Sequence, residues 1–249
     1  MIISNKPYIN LKLSQYEGIE PFFYDKINLD WCNDLLKNIE IIKNEFLVVF
    51  NERKALEEST KKITLDHHKG WNQIELITYG LQKEKNIKLF PQTFDIIKNI
   101  KNISTCYFSI LKPNTQIKPH IGDTDAYYRF HFGLIVPGGL PNCGIQVGPE
   151  KRAWKENDYI VFNDVHKHTA WNNTTENRVV LIIDVLREFE DISRQEVEAQ
   201  VLTALTFSRL TNYFVVIFEI MPKFLIRLML FFIKAIFKLK LATQKHRID

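Results

Sequence analysis

The runs STCYFSIL (104–111), YYRFHFGLIV (127–136), GIQVG (144–148), DYIVF (158–162) and RVVLIIDVL (178–186) decide the fold class. Each is short, apolar, and rich in β-branched or aromatic residues. Between them stand KPNT, VPGGLPN, ENDY and WNNTTEN, clusters of the residues that favour turns. Short strands with turns at regular spacing build an antiparallel sandwich or barrel. Residues 104–187 carry no long helical pattern, which argues against a parallel α/β sheet. The expectation is a mainly β core with flanking helices.

Working outward, residues 1–100 read as mixed α/β, with helices expected over Leu29 to Lys43 and Phe94 to Lys101. From Asp191 the texture changes. SRQEVEAQVLTALTF reads as a helix, and Asn212 to Leu241 is strongly apolar, interrupted by Pro222. A chain of 249 residues accommodates one well-buried domain of about 150–200 residues and an appendage. The division expected is a domain over residues 1–190 and a helical tail over residues 191–249.

The three cysteines, Cys32, Cys106 and Cys143, have no paired spacing and read as small buried hydrophobes. With no basic start followed by an apolar run, the expected setting is reduced and cytoplasmic. The net charge of +4 is unevenly spread. From Val201 to Asp249 eight Lys/Arg stand against Glu219 and Asp249, leaving this stretch at +6 and residues 1–200 at −2. A basic tail on a nearly neutral body points to a local surface interaction and not to nucleic acid.

His120, in KPHIGDT, and His168, in NDVHKHTAW, flank predicted strands. One histidine alone is ordinarily a satisfied polar residue; two at strand ends of a small β-barrel are candidate metal ligands. Arg178 opens the last apolar strand, ten residues after His168. Buried there it needs an anion, since an unpaired guanidinium is costly to bury; the alternative is a surface residue paired with Glu176. Arg129 and His131 alternate with Phe130 and Phe132 and so share a strand face, which is either solvated or a source of donors for an anionic ligand. Ser109 interrupts the apolar YFSIL in the same way.

SILKPNTQIKPHIGDTDAYYRFHFGLIVP, CGIQVGPEKRAW and FNDVHKHTAWNNTTENRVVLIIDV, in that order, resemble the aspartyl/asparaginyl β-hydroxylase family. The resemblance runs from about Trp71 to Val185, and GWNQIELITYG and FPQTF fit it too. It implies a double-stranded β-helix, the jelly-roll or cupin-like core, and an Fe(II)/2-oxoglutarate-dependent dioxygenase consuming O2. By the resemblance, His120 and His168 match the iron-binding histidines. Ser109 and Arg178 match the residues that hold the distal carboxylate of 2-oxoglutarate. Arg129 and His131 match groups near the cosubstrate and substrate carboxylates, and Trp71 and Gln73 match the substrate side. Gly122 stands where most such oxygenases carry a carboxylate ligand. The family shares that glycine, with water completing the iron shell; Asp123 and Asp125 are the nearby acids. Asp66 and Tyr127 stand where members acting on aspartyl side chains carry arginines, which weakens recognition of an acidic substrate. His67, His68 and His166 read as surface or supporting residues.

The resemblance leaves the substrate open between the β carbon of a peptidyl Asp/Asn residue and an acyl chain of a membrane lipid. A non-catalytic cupin-like binding module is the reading from a different class. Lys223, Arg227, Lys234 and Lys238 share one stripe of an otherwise apolar helix. Residues 212–241 therefore lie in a membrane interface, dock on protein, or span a bilayer. Spanning fits least, because Lys223, Arg227 and Lys234 interrupt every long apolar window.

Overall fold

The computed structural model describes residues 6–9, 16–25, 27, 29–51, 57–58, 70–189 and 192–245. Asp66, His67 and His68 lie outside the described residues. The elements before the β-rich region are β1 (Phe23–Tyr24), α1 (Asp30–Lys37), α2 (Ile39–Asn51), β2 (Glu57–Glu58), β3 (Trp71–Thr78), β4 (Leu81–Gln82), α3 (Glu84–Ile87) and α4 (Pro91–Ile97). The β-rich region forms β5 (Ile103–Leu111), β6 (Thr115–His120), β7 (Tyr127–Ile135), β8 (Cys143–Val147), β9 (Glu150–Arg152), β10 (Tyr159–Phe162), β11 (His168–Asn172) and β12 (Arg178–Leu186). Then follow α5 (Arg194–Tyr213), α6 (Val215–Ile220) and α7 (Lys223–Lys245).

The strands pair antiparallel in two sheets. The larger has the order β1-β10-β7-β12-β5-β3-β2, with β4 on β3, and the smaller β6-β11-β8-β9. Between them Tyr107, Leu111, Val180 and Ile182 of the large sheet meet Ile117, Ile145, Val147 and Ala170 of the small one. This is the expected double-stranded β-helix. The other face of the large sheet, with Phe108, Phe130, Phe132 and Leu181, is covered by Leu35, Ile42 and Phe46 of α1 and α2. Every residue of β5 and β12 is therefore buried, and burial on both faces makes those two runs read as mainly apolar. The free cysteines Cys32, Cys106 and Cys143 are all buried.

Several local expectations need correction. The helix expected over Leu29 to Lys43 is two helices, α1 and α2, and the second continues to Asn51. Asn38 marks the break: its side chain donates to the Asp34 carbonyl at 2.8 Å, a local bond that competes with helix continuation. The helix expected from Phe94 begins at Pro91, because proline suits the first helical turn, and ends at Ile97. His120 ends a strand, β6, that was not among the expected runs. TQIKPH buries only alternate residues at its start, so it lacks an apolar run.

Beyond residue 190 the helices pack back on the barrel. Helix α5 begins on a cap, the Ser193 hydroxyl accepting from the Glu196 amide, as S-x-x-E sequences do. Its Val197 and Val201 then pack with Ala126, Tyr127 and Leu186 of the barrel. Helix α7 docks on it in turn. Leu241 joins Ala199 and Leu202, Gln195 donates to the Lys238 carbonyl at 2.8 Å, and Lys234 and Lys238 pair with Glu196. The first part of the expected tail is thus core, and cutting at residue 190 would expose it. Two members of the basic stripe turn toward the body, so the stripe lies along the flank of α7.

Glu198 of α5 is 2% exposed beside the barrel, with Arg194 3.6 Å away. Burial pushes its carboxyl up to about 7 from an ordinary 4.5, against the weaker pull of Arg194. The folded protein therefore holds this proton more tightly than the unfolded chain does. Stability contributed by the protonated form is complete below about 4.5 and declines until about 7. Glu198→Gln is expected to flatten this decline and to stabilise the fold above neutral pH by on the order of 2 kcal/mol. Denaturant melts across that pH range check it; parallel curves for both proteins would refute it.

Candidate active site

Strand pairing sets the two histidines opposite each other: His168, which opens β11, is the Cα partner of His120, which closes β6. Their ring centroids are 4.1 Å apart. Each ring is oriented by a backbone carbonyl two residues earlier in the chain. His120 Nδ1 donates to the Lys118 carbonyl and His168 Nδ1 to the His166 carbonyl, both at 2.8 Å. A carbonyl can only accept, so in the neutral rings the lone pair sits on Nε2, the form suited to binding a metal. His166 points elsewhere, its Nε2 bonded to the Glu20 carbonyl at 2.8 Å. It positions His168 through its backbone.

Gly122 follows β6, and its amide donates to the Asp164 carbonyl at 2.7 Å. A Cβ placed on Gly122 would lie 2.4 Å from the Asp164 carboxyl carbon. The space that a side chain at position 122 would need is therefore filled by the Asp164 carboxylate. Among the described residues no cluster of three or more His, Cys, Asp or Glu is placed to hold a metal. Asp125 is occupied by the Tyr8 amide at 2.8 Å and the Tyr16 hydroxyl, and Asp123 by the Tyr79 hydroxyl at 2.9 Å.

Arg178 is 1% exposed at the start of β12. One of its Nη atoms donates to the Ser109 carbonyl at 3.2 Å and reaches the Ser109 hydroxyl at 3.4 Å, while the guanidinium lies 4.5 Å over the Trp154 ring. Its Nε has no hydrogen-bond partner among the described residues. Burial lowers its pKa to about 10, with only Cys143 and Tyr107 opposing the shift. The alternative pairing with Glu176 on the surface does not occur. A buried cation without a carboxylate is costly, and it marks a place for an anion. The Ser109 hydroxyl accepts from Trp71 Nε1 at 3.0 Å, which leaves its own proton available to such a ligand.

His131 adds a second unused donor. Burial holds its pKa well below the ordinary histidine range, reinforced by Arg129, Arg178 and His168. Trp154 Nε1 donates to its Nδ1 at 3.3 Å, so the ring proton sits on Nε2, which has no partner among the described residues. Arg129 differs from expectation. Its Nε and Nη2 each donate at 2.7 Å to Asp184, and Nη1 pairs with Asp164. Burial opposes the charge, but the two carboxylates outweigh it and keep the guanidinium firmly protonated. Its charge is neutralised from within the protein.

One cavity of about 140 Å³ brings together Trp71, Gln73, Ser109, His120, Arg129, His131, His168 and Arg178. All the site residues expected from the sequence thus meet in one place. Tyr127 packs against α5 instead. A separate cavity of about 310 Å³ has only His131 and Trp154 in common with it, and contains no histidine pair. Sequence alone did not single out Asp164, Trp154, or Leu205 and Arg209 of α5, which also line the cavity, nor Asp184, which pairs with Arg129. Asp184 carried a visible signal: it is the one acid within RVVLIIDVL and shares a strand face with Arg178.

Comparison with known proteins gives a consistent family. The ornithine lipid ester-linked acyl 2-hydroxylase of Rhizobium tropici is 30% identical over 190 residues, 75% of this chain and 67% of that one. The aspartyl/asparaginyl beta-hydroxylase of Mus musculus is 29% identical over 156 residues, 61% of this chain but only 21% of that protein. A solved prolyl-4-hydroxylase from Pseudomonas putida aligns with a TM-score of 0.40 at 13% identity, over 61% of this chain and 87% of that one. The sequence family described as Aspartyl/Asparaginyl beta-hydroxylase matches residues 36–188, well over half of the chain. The chain belongs to the aspartyl/asparaginyl beta-hydroxylase family.

Proposed function

We propose that this chain is an iron(II)- and 2-oxoglutarate-dependent hydroxylase acting on an acyl chain of a lipid. The observation that carries the cosubstrate is Arg178, a buried and anionless guanidinium in the same cavity as the histidine pair. His120 and His168 would hold the metal through Nε2. Arg178 and Ser109 would receive the far carboxylate of 2-oxoglutarate, and His131 would offer its Nε2 proton. The Asp164 carboxylate, paired with Arg129, fills the space that a ligating side chain at position 122 would need, so the two histidines would be the protein's share of the metal shell. Trp71, Ile145, Phe162 and Ile182 wall the cavity with apolar surface, which keeps water from the reacting atoms. Iron(II), when bound, supplies the activation of O2 that couples oxidation of 2-oxoglutarate to succinate and carbon dioxide with insertion of one oxygen atom into a C–H bond.

Two features favour a lipid over an acidic side chain. Arg129, a cation expected to meet a substrate carboxylate, is neutralised by Asp164 and Asp184. The Rhizobium tropici relative, by its description, hydroxylates an acyl group of a lipid. Peptidyl Asp/Asn hydroxylation remains the outcome that would replace this reading.

The purified chain is expected to release succinate from 2-oxoglutarate in air. A chelator should stop the release and added iron(II) restore it. No iron-dependent turnover would sink the oxygenase reading in favour of a binding module. Mass spectrometry of lipids and proteins from cells with and without the chain then decides the substrate by where one added oxygen atom appears.

A further inference from the structure

Helices α6 and α7 turn an apolar face to the outside. Ile226, Leu230, Ile233 and Phe237 of α7 are at least half-covered on its inner side, the side that meets α5. The opposite side carries Phe224, Leu228, Phe231 and Leu239, and α6 adds Val216 and Ile220. Exposure is 67% for Phe224, 66% for Phe231 and 78% for Ile220, so most of each side chain is open to solvent. Such a continuous patch is a surface awaiting a partner.

Charge identifies that partner. Lys223 and Arg227 are exposed along one flank of the apolar face and Lys240 along the other. From α6 through α7, Glu219 is the one acid among the described residues. Two copies of this face, related by a two-fold axis, would bring like charges together. An anionic surface suits it better. No described helix is long and apolar enough to cross a membrane, so contact would be made lying flat. The position of the site agrees with this: Leu205 and Arg209 of α5 are among the residues lining the candidate cavity, and α5 leads directly into α6.

We propose that the outward face of α6 and α7 docks on a bilayer containing anionic lipid, and so holds the cavity mouth beside the acyl chains. The docking surface stands on its own observations; the delivery of substrate rests on the oxygenase reading. The test is co-sedimentation of the full chain with phosphatidylcholine vesicles, with and without phosphatidylglycerol. Binding is expected to the anionic vesicles, weakening as salt rises. The double variant Phe224→Ser, Phe231→Ser should bind at least about tenfold less tightly, since each loses a ring that the bilayer would bury. Lys223→Glu with Arg227→Glu should lose the preference for phosphatidylglycerol. Both variants should release succinate, without vesicles, at the wild-type rate. Absence of wild-type binding, or undiminished binding by the phenylalanine variant, would overturn the proposal. So would a wild-type dimer that this variant turns into monomer. Vesicle binding without any succinate release would support the surface while removing the oxygenase reading.

Discussion

His168→Ala is expected to lower succinate release by at least about a hundredfold, and His120→Ala to do the same. The reason is the shortness of the donor set. His120 and His168 face each other across β6 and β11, Gly122 contributes no side chain, and Asp123 and Asp125 are held by tyrosines and the Tyr8 amide. Loss of either ring leaves one protein ligand, too few to hold a divalent metal in a fixed orientation. Iron content after anaerobic purification should fall in step with turnover. His168 lies against Phe162, with ring centroids 5.8 Å apart, so a thermal melt of the variant separates loss of metal from loss of fold. A folded His168→Ala protein turning over at nearly the wild-type rate would remove this pair from the metal.

Arg178→Met should raise the 2-oxoglutarate concentration needed for half-maximal turnover by on the order of a hundredfold, the cost of a lost charge-assisted pair in a buried site. The same substitution should not destabilise the ligand-free protein. Arg178 is buried against Trp154 with an unsatisfied Nε, and desolvation without a carboxylate already disfavours its charge. An apolar chain of similar length removes that cost. Thermal shift assays therefore separate the two: with metal already present, the wild type gains stability on adding 2-oxoglutarate, whereas the variant starts as high and gains far less. If Arg178→Met kept its cosubstrate affinity, the anion site would have to lie elsewhere.

The sheet was legible because β5 and β12 are buried on both faces and so read as mainly apolar runs, and β7 because its aromatic and aliphatic residues dominate. The β6 and β11 strands were hidden for the converse reason. They bury alternate residues in a mixed polar sequence, and their pairing is nonlocal. The candidate site residues could be named because HIGD, NDVHKH and the arginine opening an apolar strand match the family's pattern in order, and all of them line one cavity. What Arg129 does was not readable. Alternation gave its face, but only the fold reveals that Asp164 and Asp184 reach it first. The placement of α5 failed similarly: its helical pattern was plain, while its partners Ala126, Tyr127 and Leu186 lie far upstream in sequence.

Strand β12 lies between β5 and β7 in space but follows both in the chain. During synthesis, the two flanking strands leave the ribosome long before the one that joins them. Until Leu186 has emerged, each presents an open edge of unpaired amides and carbonyls, and shielding of those edges falls to chaperones. Closure is a nonlocal event and correspondingly slow. Because β12 itself brings Arg178 and Asp184, its insertion completes the sheet, seats the anion-binding guanidinium and supplies Arg129 with its counter-ion together. A nascent chain halted before this strand has neither a finished barrel nor the buried guanidinium of Arg178 in its cavity.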